Sequence, residues 1–356
     1  MSEYTSYFLY QRYEKRGDQP WLPSYPNTLS IDGGGTMPLV VKQEDDPACG
    51  YVPPVEPIYR WIDLDPTQDW ICADCESDIK ISGLRSSGQT FSMQCNGNPT
   101  LRRNEIAGFT SLEYVRIGSC VTEIGDGSLS GQTSLQGVTI SPSVTSIGVA
   151  AFSGDVAMME CTLPQSIISI GNNAFNHCVS LQNVMLWDSI TSIGSSAFTD
   201  CDYIISLHIP TGITSIPKYC FYHCGALSEL NIPNNVTSIG DYAFSSCISL
   251  FNLVIGDGTT HIGTDTFSNC TGLTNITIGT GVTNIGEGAF NGGINLTSIT
   301  IKAVNPPLLE RGGLEVQGTA FDNTNNCPIY VPAESVSHYK AMADWYNYKN
   351  RIFPIT

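Results

Sequence analysis

The chain repeats itself every 23 residues, and that period constrains the fold more than any local propensity does. Ile239 is followed at this step by Ile262 and Ile285, and preceded by Ile216, Ile193, Ile170, Ile147, Ile124 and Leu101. Five residues after these anchors stand Phe152, Phe175, Phe198, Phe221, Phe244, Phe267 and Phe290, with Ile106 and Leu129 in the first two units. Later in each unit a second apolar pair recurs, as in Val184 with Leu186 and Leu230 with Ile232. One unit offers about six apolar side chains, worth roughly 1.5–3 kcal/mol each when buried. Ordering its backbone costs roughly 1–2 kcal/mol per residue. A lone unit therefore cannot fold; its apolar groups are covered only when a neighbour lies on each side, so the units must stack.

The stretch "LFNLVI" (250–255) sets Leu253 and Ile255 two apart, on one face of a strand, with Asn252 and Val254 on the other. "VTSI" (236–239) is a second short extended piece, and Gly240 and its equivalents are expected to let the chain turn sharply after it. Pro217 takes that place in one unit.

The full string, Val-Thr-Ser-Ile-Gly-x-x-Ala-Phe-x-x-Cys-x-x-Leu-x-x-Leu-x-Ile-Pro, is most complete at 144–164, 190–210, 213–233 and 236–256. It resembles the BspA-type (treponemal) leucine-rich repeat. Further on, "VNPPLL", Ala320-Phe321 and "CPIYVPAESVSHYKAMADWYNYKNRIFPI" resemble that family's closing unit. The resemblance covers residues 100 to 356. It implies a β-rich solenoid of 23-residue coils with a parallel sheet on its concave side. Gln132, Asp155 and Gly293 depart from it, standing where Cys belongs. The expected organisation is a separate small β/loop attachment module at 1–85, the solenoid at 86–302, and a closing repeat with a capping helix at 303–356. Val336, Tyr339, Met342, Ala343 and Tyr346 share one helical face behind Pro332, which predicts an amphipathic helix covering the last coil.

Charge narrows the partners. The chain has 33 acidic against 16 basic residues, and between Ile117 and Ile301 the only lysine or arginine is Lys218. Nucleic acid needs such residues to neutralise phosphates, and anionic lipid attracts them, so neither is expected as a partner. The first residues, "MSEYTSYFLYQRYEKRGD", have no apolar signal core, and no apolar run reaches the ~18–20 residues of a membrane span. The expectation is no membrane insertion and no passage through the general secretory pathway.

Of 13 cysteines, Cys178, Cys201, Cys224, Cys247 and Cys270 recur at the repeat step and are expected as an interior column of free thiols. Cys72 and Cys75 form the one local spacing that could hold metal. The next two cysteines, Cys95 and Cys120, are single and distant rather than the second CxxC of a zinc ribbon, so no metal or cofactor is assigned. No HExxH, GxSxG or GxxxxGK[ST] is present. His177 and His223 each precede a column cysteine, but at one variable turn position, with no third orienting residue recurring. The chain is read as non-enzymatic.

Residues 1 to 85 lie outside the repeat and are rich in Tyr, Trp and Pro, with four prolines between Glu44 and Pro57. Trp21, Trp61 and Trp70 are candidate aromatic anchors for docking on a partner. The segments "YQRYEKRGDQPWLPSYPNTLS", "DDPACGY" and "YRWIDLDPTQDWICADC" resemble parts of virion proteins of crAss-like phages of Bacteroidales. Such parts also occur in surface proteins of the hosts. That resemblance implies a leader that attaches to a particle and a solenoid that is displayed.

A curved sheet presents one row of side chains per coil on its concave face. Its middle coils carry Met185, Trp187, His208, Glu229 and Asn231, the candidate ligand-binding residues. The partner is expected to be a protein, on the virion or the host surface, or a glycan. Two readings follow: a phage virion component, favoured by the N-terminus, and a bacterial surface or secreted adhesin, the usual association of BspA-type repeats.

Overall fold

In the computed structural model the repeat is a stack of coils. Residues 121–310 and 319–356 are described throughout, with Thr100–Leu101 and Phe109–Ile117 before them; nearer the N-terminus the description is confined to the backbone of short strand segments. Each coil gives a two-residue strand to a narrow parallel sheet, and all but the two coils around Asn183 and Ser206 give a longer strand to a broad one. In the broad sheet Glu229–Ile232, Asn252–Ile255, Asn275–Ile278 and Ser298–Ile301 pair one coil apart, with Leu230 opposite Leu253 and Ile276 opposite Ile299. Along Glu229–Ile232 and Asn252–Ile255 residues alternate exposed and buried, the pattern expected of a half-covered strand. The narrow sheet is built from pairs such as Ser238–Ile239 with His261–Ile262.

Coils are tied in both directions. At the narrow strand each coil donates backwards, as Gly240 N–H does to the Ile216 carbonyl at 2.8 Å. On the turn side it donates forwards, as Phe175 N–H does to Ala197 and Phe221 N–H to Ala243, both at 2.8 Å. Every interior coil thus sits between two sets of backbone bonds, which is what a unit unable to fold alone requires.

The phenylalanines form one continuous stack. Centroids from Phe152 to Phe321 are 5.0 to 5.5 Å apart with planes within 13° of parallel. Beside them run the cysteines, buried and free. Cys178, Cys201, Cys224, Cys247 and Cys270 each donate the thiol to the phenylalanine carbonyl one coil back, at 3.1 to 3.4 Å. A small apolar side chain with one weak donor fits both the space and the carbonyl.

The turn chemistry differs from the expectation placed on Gly240. Left-handed backbone lies further on, at two positions per coil: Asn173 (φ 55°) and His177 (φ 58°), then Ser196 and Asp200, then Tyr219 and His223. Gly240 is required by proximity instead, since a Cβ there would lie 2.6 Å from the Lys218 nitrogen of the coil before.

Pro217 marks a seam. Gly171, Gly194, Gly240 and Gly263 each donate N–H to the isoleucine carbonyl one coil back; proline has no N–H to give to Ile193. The narrow sheet divides there, into one part ending at Ser192–Ile193 and another beginning at Ser215–Ile216. The broad sheet is interrupted at the same coils, keeping only single bridges from Glu160 to Asn183 and from Ser206 to Glu229. Pro210 lacks the N–H that Ser141, Gly256 and Lys302 give to the preceding coil. The turn side carries the stack across: Phe198 N–H donates to the Cys220 carbonyl at 2.9 Å, and Phe198 stacks on Phe221 at 5.4 Å.

The C-terminal cap is not one amphipathic helix. Helix Val336–Ala341 stops at Met342, whose backbone is extended (ψ 134°), and a 3-10 segment Ala343–Arg351 follows. That break shifts the phase. Tyr339 stays buried, but Trp345 and Tyr348 replace Ala343 and Tyr346, which are exposed. Trp345 ends the ring stack against Phe321 and donates its indole N–H to the Pro307 carbonyl at 2.8 Å. The strand Ile352–Pro354 then pairs with Ile329–Val331 as the last rung of the broad sheet.

Asp155, in the cysteine column, is fully buried. One carboxylate oxygen accepts the Gln132 N–H at 2.7 Å, while Oδ2 has no partner. Burial pushes its pKa from 3.8 up to about 8.

Candidate functional site: the concave face and its rim

Met185, His208 and Asn231 occupy one exposed column on successive coils, with Glu229 exposed in the column beside it. Strand alternation puts them there: Val184, Leu186, Leu230 and Ile232, between and beside them, point inward and are buried. Met185 is 54% exposed. Trp187 stands at the strand end, half-buried against the core, and its indole N–H donates to the Leu163 carbonyl at 2.6 Å. It offers ring surface rather than a free donor. His208 Nε2 lies 3.1 Å from Asp188 Oδ1 across the seam, and the same carboxylate oxygen accepts the Thr211 N–H at 2.8 Å. The Thr211 bond, then His208, hold Asp188 below the usual carboxylate range.

Sequence reasoning overlooked the row just before each broad strand. Met159, Ile205 and Phe251 lie there, all exposed, on the rim of the same face. Val254 adds an exposed side chain to the Met185 column. The signal was available as large apolar residues at a position that Gln182, Ser228 and Thr274 occupy in other coils.

On the outer turn His177 and His223 do meet a shared group. Asp200, one coil from each, lies 3.2 Å from His177 Nε2 and 3.1 Å from His223 Nδ1. The imidazoles are exposed and the column thiols buried. Burial pushes Cys161 up to about 12 and Cys201, Cys220, Cys224 and Cys247 well above the ordinary thiol value. Thiols in that state are poor nucleophiles. Among the described residues, no group of three His, Cys, Asp or Glu side chains could hold a metal ion. No helix among them is long and apolar enough to cross a membrane. The side chains of Trp21, Trp61, Trp70, Cys72 and Cys75 lie outside the described residues.

Stacked coils with a broad parallel sheet, a conserved-length repeat and a capped end define a leucine-rich-repeat solenoid. The family model of the BspA type leucine rich repeat region matches in six copies over residues 100–224 and 214–338. The chain belongs to that family. Among solved structures it is similar to a leucine-rich repeat protein from Bacteroides ovatus, with a TM-score of 0.51 and 24% identity over 68% of this chain and 66% of that one. A leucine rich cell surface protein from Faecalibacterium prausnitzii gives 0.36 and 22% over 84% and 93%, and a leucine rich repeat protein from T. pallidum 0.26 and 24% over 53% and 71%. The chain thus spans just under two thirds of the Bacteroides ovatus chain. No match to a curated protein is found.

Proposed function

We propose that the chain is a non-enzymatic interaction module, displayed on or released from a bacterial surface, that binds a protein through its concave face. The observation that supports it best is the exposed column of Met185, His208 and Asn231 with Glu229, on coils held in register by the backbone bonds of their turn side. Such a face offers shape and side-chain variety without a reactive nucleophile. Membership of the BspA-type family favours an adhesin-like role. The expectation of a virion component rests on residues 7 to 76, which lie outside the described side chains; it is the second reading. In both, residues 1–85 serve as the attaching part, with Trp21, Trp61 and Trp70 as anchors, and residues 86–302 and 303–356 as the displayed and closing parts.

A binding screen of the full chain on arrays of extracellular proteins and glycans tests this, repeated with Met185→Ala and Lys218→Ala. A protein ligand weakened by Met185→Ala and kept by Lys218→Ala supports the concave face. Binding to glycan spots alone moves the assignment to a sugar. A ligand indifferent to Met185 places the site elsewhere.

A further inference from the structure

At one position of the outer turn the coils share a left-handed backbone, and most of them place a short residue there. Gly127, Ala150, Asn173, Ser196, Asp265 and Gly288 hold it at φ 50–61°. Tyr219 and Tyr242, in adjacent coils, hold it too, both at φ 56°. That conformation is unfavourable for a bulky side chain, and such outliers gather at functional surfaces. The turn itself accepts asparagine or glycine, so it does not ask for tyrosine. Nor does the core. Tyr219, Tyr222 and Tyr242 are half-buried and His223 is exposed, whereas Phe221 and Phe244 of the same coils are buried.

These side chains make one aromatic surface across two coils. Tyr219 stacks on Tyr242 with centroids 4.8 Å apart, Tyr222 meets Tyr219 edge-on at 5.6 Å, and the His223 ring lies on Tyr222 at 4.3 Å. Where Tyr222 stands, neighbouring coils carry Asn176, Thr199, Ser245 and Ser268. The rings are thus confined to one place on the outer turn.

Charge selects the class of ligand. Lys218, the one lysine or arginine between Ile117 and Ile301, lies 5.0 Å from the Tyr219 centroid and 5.9 Å from that of Tyr242, and pairs with Asp241 at 3.7 Å. Asp265 accepts the Tyr242 hydroxyl, and Asp200 sits between His177 and His223. A cationic ligand would meet an ammonium already over the rings. An anionic one would meet the carboxylates of Asp200, Asp241 and Asp265. What remains on offer is ring surface beside hydrogen-bond acceptors. A neutral pyranose matches both, since its C–H face packs on an aromatic ring and its hydroxyls donate to carboxylates. We propose that the outer turn around Tyr219, Tyr222 and Tyr242 binds a neutral glycan of pyranose units. The proposal does not rest on protein binding at the concave face and uses other residues, so either can fail alone.

The test is isothermal titration of the full chain with cellohexaose, laminarihexaose, maltohexaose, mannohexaose and xylohexaose, and with hexagalacturonate and hexaarginine as charged comparisons. The variant combines Tyr219→Asn with Tyr242→Asn, giving both coils the residue that Asn173 supplies in the same left-handed turn. At least one neutral hexasaccharide should bind saturably, about tenfold or more weakly to the double variant and within about twofold of wild type in Asn173→Ser. The urea midpoint of the double variant should be unchanged or higher, because asparagine tolerates the left-handed backbone. No binding of any neutral hexasaccharide, or equal binding by the double variant, overturns the proposal. So does a double variant that loses hexagalacturonate or hexaarginine binding while keeping the neutral sugar. A clear fall in the urea midpoint would assign the rings to the fold and overturn it as well.

Discussion

Asp155→Asn isolates the one charged side chain that the stack forces into the cysteine column. In the folded chain its carboxyl is buried, with one oxygen bonded to Gln132 N–H and the other unpartnered. Burial raises its pKa from 3.8 to about 8. An acid that holds its proton more tightly when folded contributes most below its unfolded value. That contribution is lost as pH rises, and the loss is complete only above the folded value. At roughly 1.4 kcal/mol per pH unit, stability should fall by roughly 3–4 kcal/mol between pH 5 and pH 8 on account of this group alone. Asparagine keeps the acceptor for Gln132, places a neutral donor near the empty position and cannot ionise. Urea melts of both proteins at pH 5, 6.5 and 8 give the difference directly. The advantage of Asp155→Asn should grow steadily with pH. A difference that is the same at all three values would show that the carboxyl is not held neutral, and the argument from burial would fail.

Two further substitutions probe the stack itself. Phe221→Ala removes a ring sandwiched between Phe198 and Phe244 and should destabilise by roughly 3–5 kcal/mol in denaturant melts, as an interior cavity does; an unchanged midpoint would contradict the column's role. At the seam, hydrogen exchange should be faster for Thr214 and Ser215 than for Thr237 and Ser238, and Pro217→Gly should bring the two pairs together by restoring a donor. Equal exchange in the wild type would mean that the seam is closed in solution.

What the sequence disclosed followed from the period. One residue type every 23 positions must form a column, so the phenylalanine stack, the buried thiols and the parallel pairing could be read before any coordinates. Strand alternation likewise placed Met185, His208 and Asn231 together. The left-handed turns were hidden because Asn173, Asp200, Tyr219 and His223 adopt them, further along the coil than the Gly240 position to which the turn was assigned. Gly240 was legible as a requirement but not as the reason for it, which is contact with the coil before. The cap misled because helical spacing through Tyr346 says nothing of an extended Met342, and that single residue hands burial to Trp345 and Tyr348. The apolar rim escaped because it precedes the strand, outside the alternation used to find the face.

Display at a bacterial surface is the claim on which the rest depends. Immunogold electron microscopy, with antibody raised against residues 101 to 356 and applied to intact, uninfected cells of the source and to phage particles, examines it directly. Gold is expected on the envelope of intact cells. Gold confined to particles, or seen only after the cells are opened, would contradict it.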